Sequence, residues 1–139
     1  MAYGMIAAIG ECTLADQTNY SFINDNPCAL MTLGNVVMLC DDVHITGNYT
    51  SGNTILTLPD SSMFPTQEMR VPIVISKNGT DYTYFLVIKT NGTLSLTQGN
   101  DNFDIHFNGL CFHVNCKYYT PAIGNIYDNG SSPLTVGRY

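Results

Sequence analysis

Short runs in which apolar and polar residues alternate recur along this chain of 139 residues, and no segment sustains a helical period. One run places Phe103, Ile105 and Phe107 on one side of an extended chain, with Asp104 and His106 on the other. Successive side chains of a β-strand point to opposite faces, so this pattern predicts a strand with one buried face. Similar runs, separated by turn residues at roughly 8–12-residue intervals, predict about eight short strands.

Residues 53–97 carry the strongest hairpin signals. Asn78-Gly79 and Asn91-Gly92 each separate two β-type runs, and this dipeptide suits type I′ turns because both central residues need positive φ. We therefore expect an antiparallel meander of three strands, preceded by a strand that ends at Leu58-Pro59. Pro72 lies inside one of the runs. Because proline cannot donate to a β-ladder, it indicates an edge position or a bulge.

The complete pattern predicts an all-β fold, an antiparallel β-sandwich or jelly-roll-like barrel of about eight short strands. Clean alternation begins near residue 34. We predict a sandwich domain over residues 34–139 and an extended N-terminal arm or assembly segment over residues 1–33. No apolar stretch approaches the ~18 residues of a transmembrane helix. The mildly apolar N-terminus lacks a positively charged region, and we do not interpret it as a signal peptide.

The charge content narrows the classes of partner. Charged residues make up 12% of the chain and the net charge is −6, against about 25% charged residues in a typical soluble domain. Five Lys and Arg residues in the whole chain cannot form the basic stripe that nucleic-acid binding requires. They also form no basic amphipathic helix for an anionic membrane. We therefore expect neither nucleic acid nor membrane insertion.

The potential metal ligands and thiols form no recognisable motif, so we predict no metal and no cofactor. Asp41-Asp42-x-His44 offers two carboxylates and an imidazole, but protein metal sites usually need more convergent ligands. We interpret the two aspartates as a strand break with solvated carboxylates. The cysteines form an odd set without a Cys-x-x-Cys pair, and we interpret them as small buried hydrophobic residues. They are Cys12, Cys28, Cys40, Cys111 and Cys116.

The best-focused polar cluster lies on the last two predicted strands. Asp104 and His106 share a strand face, and a turn at Asn108-Gly109 would bring His113 across from them. With Tyr118, these residues are our candidates for ligand binding, because such groups can hydrogen-bond to sugar hydroxyls. The alternative is an ordinary solvent-facing strand surface. The chain contains no Gly-x-Ser-x-Gly elbow and no glycine-rich phosphate loop, so we predict a protein that is not an enzyme.

The order of the motifs points to a family. A Gly-Asn-Val-Val strand at residues 34–37 leads to Thr-Ile-Leu-Thr-Leu-Pro at residues 54–59 and to a Phe-Pro loop at residues 64–65. An Arg-Val-Pro-Ile strand at residues 70–73 follows, and then Phe-Leu-Val-Ile-Lys-Thr-Asn-Gly-Thr-Leu-Ser-Leu at residues 85–96. Over about residues 34–119, this order resembles the C-terminal knob domains of bacteriophage tail fibres and baseplate receptor-binding proteins.

The resemblance implies a compact β knob that forms a homotrimer about a three-fold axis and binds bacterial surface glycans. It also implies a location in the virion, at the tip of a tail fibre or baseplate, beside other tail proteins and after synthesis in the host cytoplasm. No family binding motif maps onto particular residues. Three alternatives stay open: a virion structural or decoration protein without a receptor, a glycan-degrading enzyme domain, and a secreted jelly-roll of the tumour-necrosis-factor type.

Overall fold

The computed structural model describes residues 5–115 and contains twelve strands in this part of the chain. A short 3₁₀ helix, Ser61–Met63, lies between the seventh and eighth strands. The strands are Ile6–Glu11 (β1), Thr13–Leu14 (β2), Tyr20–Phe22 (β3), Cys28–Thr32 (β4), Val36–Leu39 (β5), Val43–Tyr49 (β6), Thr54–Thr57 (β7), Met69–Lys77 (β8), Thr80–Ile88 (β9), Thr93–Leu96 (β10), Asn100–Ile105 (β11) and Cys111–His113 (β12).

The strands form two antiparallel sheets. The small sheet has the order β1-β4-β5-β12, and the large sheet has the order β2-β7-β10-β9-β8-β11-β6-β3. The large sheet is a nearly closed barrel, so the predicted all-β fold is confirmed. The number of strands exceeds the prediction of about eight. Strands β2, β3 and β12 contain only two or three residues, which is too short for alternation to show in the sequence.

One hydrophobic core joins the two sheets. In β8, alternate side chains are buried from Met69 to Ile75, because successive side chains of a strand point to opposite faces. The small sheet adds the buried side chains of Val37 and Phe112. The largest fully buried side chains include Tyr49, Phe103, Phe107, Phe112, Ile45, Ile55, Leu56 and Met63. All of them belong to the same core cluster, so both sheets are held by shared packing.

The two Asn-Gly turns of the meander differ. Asn78 and Gly79 both have positive φ, 50° and 78°, and they connect β8 to β9 as the predicted type I′ turn. At the second turn, only Gly92 has positive φ, and its N–H donates to the carbonyl of Lys89. The type I′ prediction is wrong there. Asn91 accepts hydrogen bonds from the N–H and hydroxyl of Thr93, which stabilises the longer, four-residue connection between β9 and β10.

Pro72 lies at a local edge inside the large sheet. It pairs with Phe85 of β9 on one side. On the other side, β11 pairs with β8 only at Ser76 and Ile75, and a further bond joins the His106 N–H to the Val74 carbonyl. The ladder therefore stops before it reaches Pro72. The absent N–H of proline costs no ladder hydrogen bond at this position.

The N-terminal strands pair with strands from the rest of the described chain. The predicted boundary between residues 33 and 34 falls between β4 and β5, which pair with each other. Strand β2 pairs with β7, and β3 pairs with β6. The division into an arm and a domain stays a prediction. These pairings place residues 6–32 in the same two sheets as the strands that follow.

Asp41 fixes the connection between β3 and β4, and the expectation of a solvated carboxylate is wrong for this residue. Its side chain is 2% exposed. Oδ2 accepts hydrogen bonds from the backbone N–H groups of Asn24 and Asn26, at 2.8 and 3.0 Å. Oδ1 accepts from Asn24 Nδ2 at 2.9 Å and from the N–H of Asp42 at 2.8 Å. Four donors thus compensate the burial of the charge.

Within residues 5–115, the structure contains no helix of the length and apolarity needed to cross a membrane.

Candidate functional site

A row of polar side chains crosses the outer face of the large sheet. It consists of His44 on β6, Asp104 on β11, Ser76 on β8 and Asp81 on β9. Asp104 pairs with His44 on one side and with Ser76 on the other, and Ser76 pairs with Asp81. Directly opposite residues of paired strands share a sheet face. The register of four strands therefore creates this row.

The first contact in the row joins His44 to Asp104. His44 Nδ1 lies 2.6 Å from Asp104 Oδ1. An ionised carboxylate only accepts hydrogen bonds, so the Nδ1–H of His44 donates. The two side chains are 42% and 37% exposed, so this pair is in contact with solvent.

A second chain of contacts runs through His106. Its Nδ1 lies 3.0 Å from Asp42 Oδ2 and its Nε2 lies 2.6 Å from Ser76 Oγ. Because Asp42 accepts, Nδ1 carries a proton. The Ser76 hydroxyl is also 2.5 Å from Asp81 Oδ1. With neutral His106, Ser76 donates its single proton either to Nε2 or to Asp81. With imidazolium, Nε2 donates to Ser76 and Ser76 donates to Asp81, so all three contacts are satisfied.

The order Asp42–His106–Ser76 is that of a catalytic triad, but the surroundings differ from those of a nucleophilic serine. A nucleophilic serine must give its proton to the histidine, and here Asp81 competes for that proton. Acyl transfer also needs N–H donors for an oxyanion. The nearby N–H groups of His106 and Asn108 already donate, to the Val74 carbonyl and to Asp42 Oδ1. This arrangement therefore presents hydrogen-bonding groups without an oxyanion hole built from these two amides.

A shallow groove lies beside His106 and joins the polar row to an apolar surface. Its volume is about 390 Å³. The residues that line it are Pro72, Ile73, Val74, Thr83, His106, Asn108, Gly109 and Leu110. Phe85, which pairs with Pro72, is 49% exposed. The Arg70 guanidinium lies 5.8 Å from the centre of its ring. One side of the groove thus offers apolar surface and the other offers hydrogen-bonding groups.

The predicted site residues separate into two sets. Asp104 and His106 both lie on the outer face of the large sheet. There Asp104 contacts His44, and His106 contacts Ser76. The expectation that His113 lies across from them is wrong, because β12 pairs with β5 in the small sheet. The chain leaves the large sheet after Ile105, and Gly109 donates its N–H to the Leu39 carbonyl. His113 Nδ1 accepts instead from the N–H of Asn115. Tyr118 lies outside the described residues.

Several residues of the groove, of the polar row and of the contacts around His106 were not among the predicted ligand-binding residues. They are Asp42, His44, Ser76, Asp81, Thr83 and Asn108. The type I′ turn at Asn78-Gly79 fixes the pairing of Ser76 with Asp81 and of Val74 with Thr83, so these two pairs could have been found from the sequence. His106 lies 64 positions from Asp42 and 30 positions from Ser76 in the sequence. No local signal encodes contacts at such separations.

A second groove, of about 540 Å³, lies at the seam where the large sheet does not close. It is lined by both edge strands, β2 with Leu14 and β3 with Tyr20. Glu11 and Asp25 bring two carboxylates to it. It provides an independent place at which to test any ligand-binding proposal.

The described residues contain no group of three or more His, Cys, Asp or Glu side chains arranged to hold a metal ion. No known family model matches this chain, and no curated protein matches it. The function must therefore be argued from the surface itself.

Proposed function

We propose that this protein is a non-enzymatic attachment module that binds a saccharide of the bacterial cell surface, as the knob domain of a bacteriophage tail fibre or baseplate does. The observation that carries the proposal is the groove beside His106. There, apolar surface from Pro72 and Val74 meets the hydrogen-bonding side chains of Thr83 and Asn108.

The chemistry of the groove suits a sugar ring. A pyranose has apolar C–H faces and a rim of hydroxyls that both donate and accept. Val74 and the neighbouring Phe85 are exposed and can contact the C–H faces. Thr83 and Asn108 can exchange hydrogen bonds with the hydroxyls. His106, whose two ring nitrogens are held by Asp42 and Ser76, lines the groove in a fixed orientation. The net charge of −6 repels acidic saccharides, and this favours a neutral saccharide.

The test is a binding assay with matched variants. The protein is screened against an array of bacterial capsular and cell-wall saccharides, and hits are titrated by calorimetry. His106→Ala and Thr83→Ala are expected to weaken the binding at least ~10-fold, which corresponds to about 1.4 kcal/mol. His44→Ala is the matched control. It removes a histidine of the same sheet face that does not line the groove, and we expect less than a ~3-fold change.

Two results would contradict different parts of the proposal. Absence of any saccharide binding by a correctly folded protein would overturn the function. Binding that is insensitive to His106→Ala but is lost in Gln17→Ala, at the seam groove, would keep the function and move the site.

The proposal includes assembly as a homotrimer, and an exposed apolar edge supports self-association. Ile6 and Ile9 on the edge strand β1 are 46% and 64% exposed, and Leu33 is 58% exposed. Exposed apolar patches of this kind often mark interfaces. Ile9→Asp should shift the mass measured by light scattering towards the monomer. Ile23→Asp, at another exposed isoleucine, should leave the mass unchanged. A monomeric wild-type protein at high concentration would refute this part.

The same apolar edge also favours the second candidate function, a virion decoration protein whose only role is assembly. A trimer that binds no saccharide on the array would support this candidate. For the enzymatic alternative, the diagnostic result is release of reducing ends from a bound polysaccharide. We expect none.

A further inference from the structure

Two cysteines face each other at one end of the small sheet. Ala29 of β4 pairs with Leu39 of β5, so the next residues outward, Cys28 and Cys40, come opposite each other. The two side chains interact closely enough for Cys28 to raise the pKa of the Cys40 thiol, after burial as the larger cause. Cys12 lies close by, because it follows Glu11, the partner of Cys28 on β1. The tertiary structure thus gathers three thiols that are far apart in the sequence.

The positions of Cys28 and Cys40 meet the geometric requirement of a disulfide. Residues directly opposite on antiparallel strands have Cα atoms about 4.5–5.5 Å apart, which lies within the range of roughly 4.4–6.8 Å found for disulfides. Their side chains also share one face of the sheet. Both residues are partly exposed, whereas Cys12 is buried. The prediction of buried cysteines is therefore wrong for Cys28, Cys40 and the exposed Cys111.

From this geometry we propose that Cys28 and Cys40 are a disulfide-forming pair, oxidised by exchange with a low-molecular-weight disulfide such as oxidised glutathione. In the first step, the Cys28 thiolate attacks one glutathione sulfur and releases one glutathione thiolate. In the second step, the Cys40 thiolate attacks the Cys28 sulfur and releases the other. Two protein thiols are oxidised, their two protons pass to the two released glutathione thiolates, and one glutathione disulfide is thereby reduced to two glutathione thiols.

The surroundings of the thiols support this order of steps. Burial, together with the contact to Cys28, raises the pKa of the Cys40 thiol, so Cys40 is suited to the second, intramolecular attack. Burial raises the pKa of Cys12 to about 12. Because the thiolate is the nucleophile, Cys12 is a poor competitor for Cys28 in the exchange.

The expected effect on the protein is stabilisation. The bond would join β4 to the residue that follows β5 and would restrict the unfolded chain. For a chain of this length, closing the loop between residues 28 and 40 should raise the melting temperature by roughly 5–10 °C.

The experiment uses the native full-length chain equilibrated with oxidised glutathione, then alkylated and digested with chymotrypsin. Cleavage after Leu33 separates Cys28 from Cys40, so mass spectrometry should find two peptides joined by a Cys28–Cys40 bond. The melting temperature should rise, and dithiothreitol should reverse the rise. Cys28→Ser and Cys40→Ser should each abolish the linked peptide and the rise. Cys111→Ser is the matched control and should preserve both.

Three results would overturn the proposal. The first is that Cys28 and Cys40 are both alkylated after equilibration with the disulfide. The second is that they accumulate as separate glutathione adducts. The third is a linkage that joins Cys12 to either of them. The peptide map is read on the wild-type chain, so the outcome does not depend on the folding of the serine variants.

Discussion

Replacing Asp41 with Asn is expected to destabilise the fold strongly, although the two side chains have almost the same shape. Each carboxylate oxygen of Asp41 accepts two N–H donors, and the residues that donate to Oδ2 lie 17 and 15 positions away. The amide of Asn has one oxygen and one NH₂ group, and the NH₂ group can only donate. With the NH₂ group in place of Oδ2, it faces the backbone N–H groups of Asn24 and Asn26, and two hydrogen bonds are lost. With the NH₂ group in place of Oδ1, the Asn24 amide must turn over to accept, and the N–H of Asp42 loses its acceptor.

The magnitude follows from the lost hydrogen bonds and the lost charge. A hydrogen bond to a charged group contributes about 1.5–3 kcal/mol, and a buried donor left without a partner costs about 1–3 kcal/mol. Asn24 and Asn26 are themselves exposed, so water can reach part of the broken site and reduce the cost. We expect Asp41→Asn to lower the free energy of unfolding by about 2–4 kcal/mol. That is a large share of the ~5–15 kcal/mol of a typical domain.

Urea unfolding, followed by circular dichroism and tyrosine fluorescence, measures this change. Hydrogen exchange of the Asn24 and Asn26 amides should accelerate in the variant. Asp25→Asn is the matched control. Asp25 lies in the same turn with φ of 55°, a conformation that Asn tolerates, and its replacement should change stability by less than ~0.5 kcal/mol. A loss below about 1 kcal/mol for Asp41→Asn, or equal losses for both variants, would refute the reasoning.

Two further predictions concern Tyr49 and Gly92. Tyr49→Phe should cost about 1–3 kcal/mol in urea unfolding, because the Leu96 N–H loses its acceptor and the Asn53 carbonyl loses its donor. Burial raises the pKa of Tyr49 from 10.0 to about 12. The folded state therefore keeps the phenol proton of Tyr49 to a higher pH than the unfolded state does. The stability that this residue contributes is intact below pH 10 and is lost as the pH rises to about 12. Tyr49→Phe should flatten this decline of stability at alkaline pH, whereas Tyr82→Phe, at an exposed tyrosine, should not. Identical alkaline slopes for the two variants would contradict the assignment of the decline to Tyr49. Gly92→Ala should cost about 2–4 kcal/mol, because φ is 83° and the new Cβ would lie within van der Waals overlap of the Phe64 ring. Gly79→Ala, with φ of 78° and open space around it, should cost only about 1 kcal/mol, so equal losses in thermal unfolding would be inconsistent with the Phe64 contact.

The sequence by itself determined the fold class and the local hairpins. Alternation in residues 103–107 specified which side chains are buried, because the period of a strand is a local property. Asn78-Gly79 specified one turn and its register for the same reason. The prediction made from Asn91-Gly92 was only partly right. The pair predicted a hairpin, but the length of the connection, together with the hydrogen bonds of Asn91 to Thr93, decided the type of turn.

Only the tertiary structure decided which strands are neighbours, and this placed the candidate sites. His44 meets Asp104 across 60 positions and Asp42 meets His106 across 64. His113 is in the small sheet because the chain crosses over at Gly109. The burial of Asp41 and the meeting of Cys28 with Cys40 have the same origin. Pairing between distant strands depends on the packing of the whole core, so no local pattern of residues encodes it.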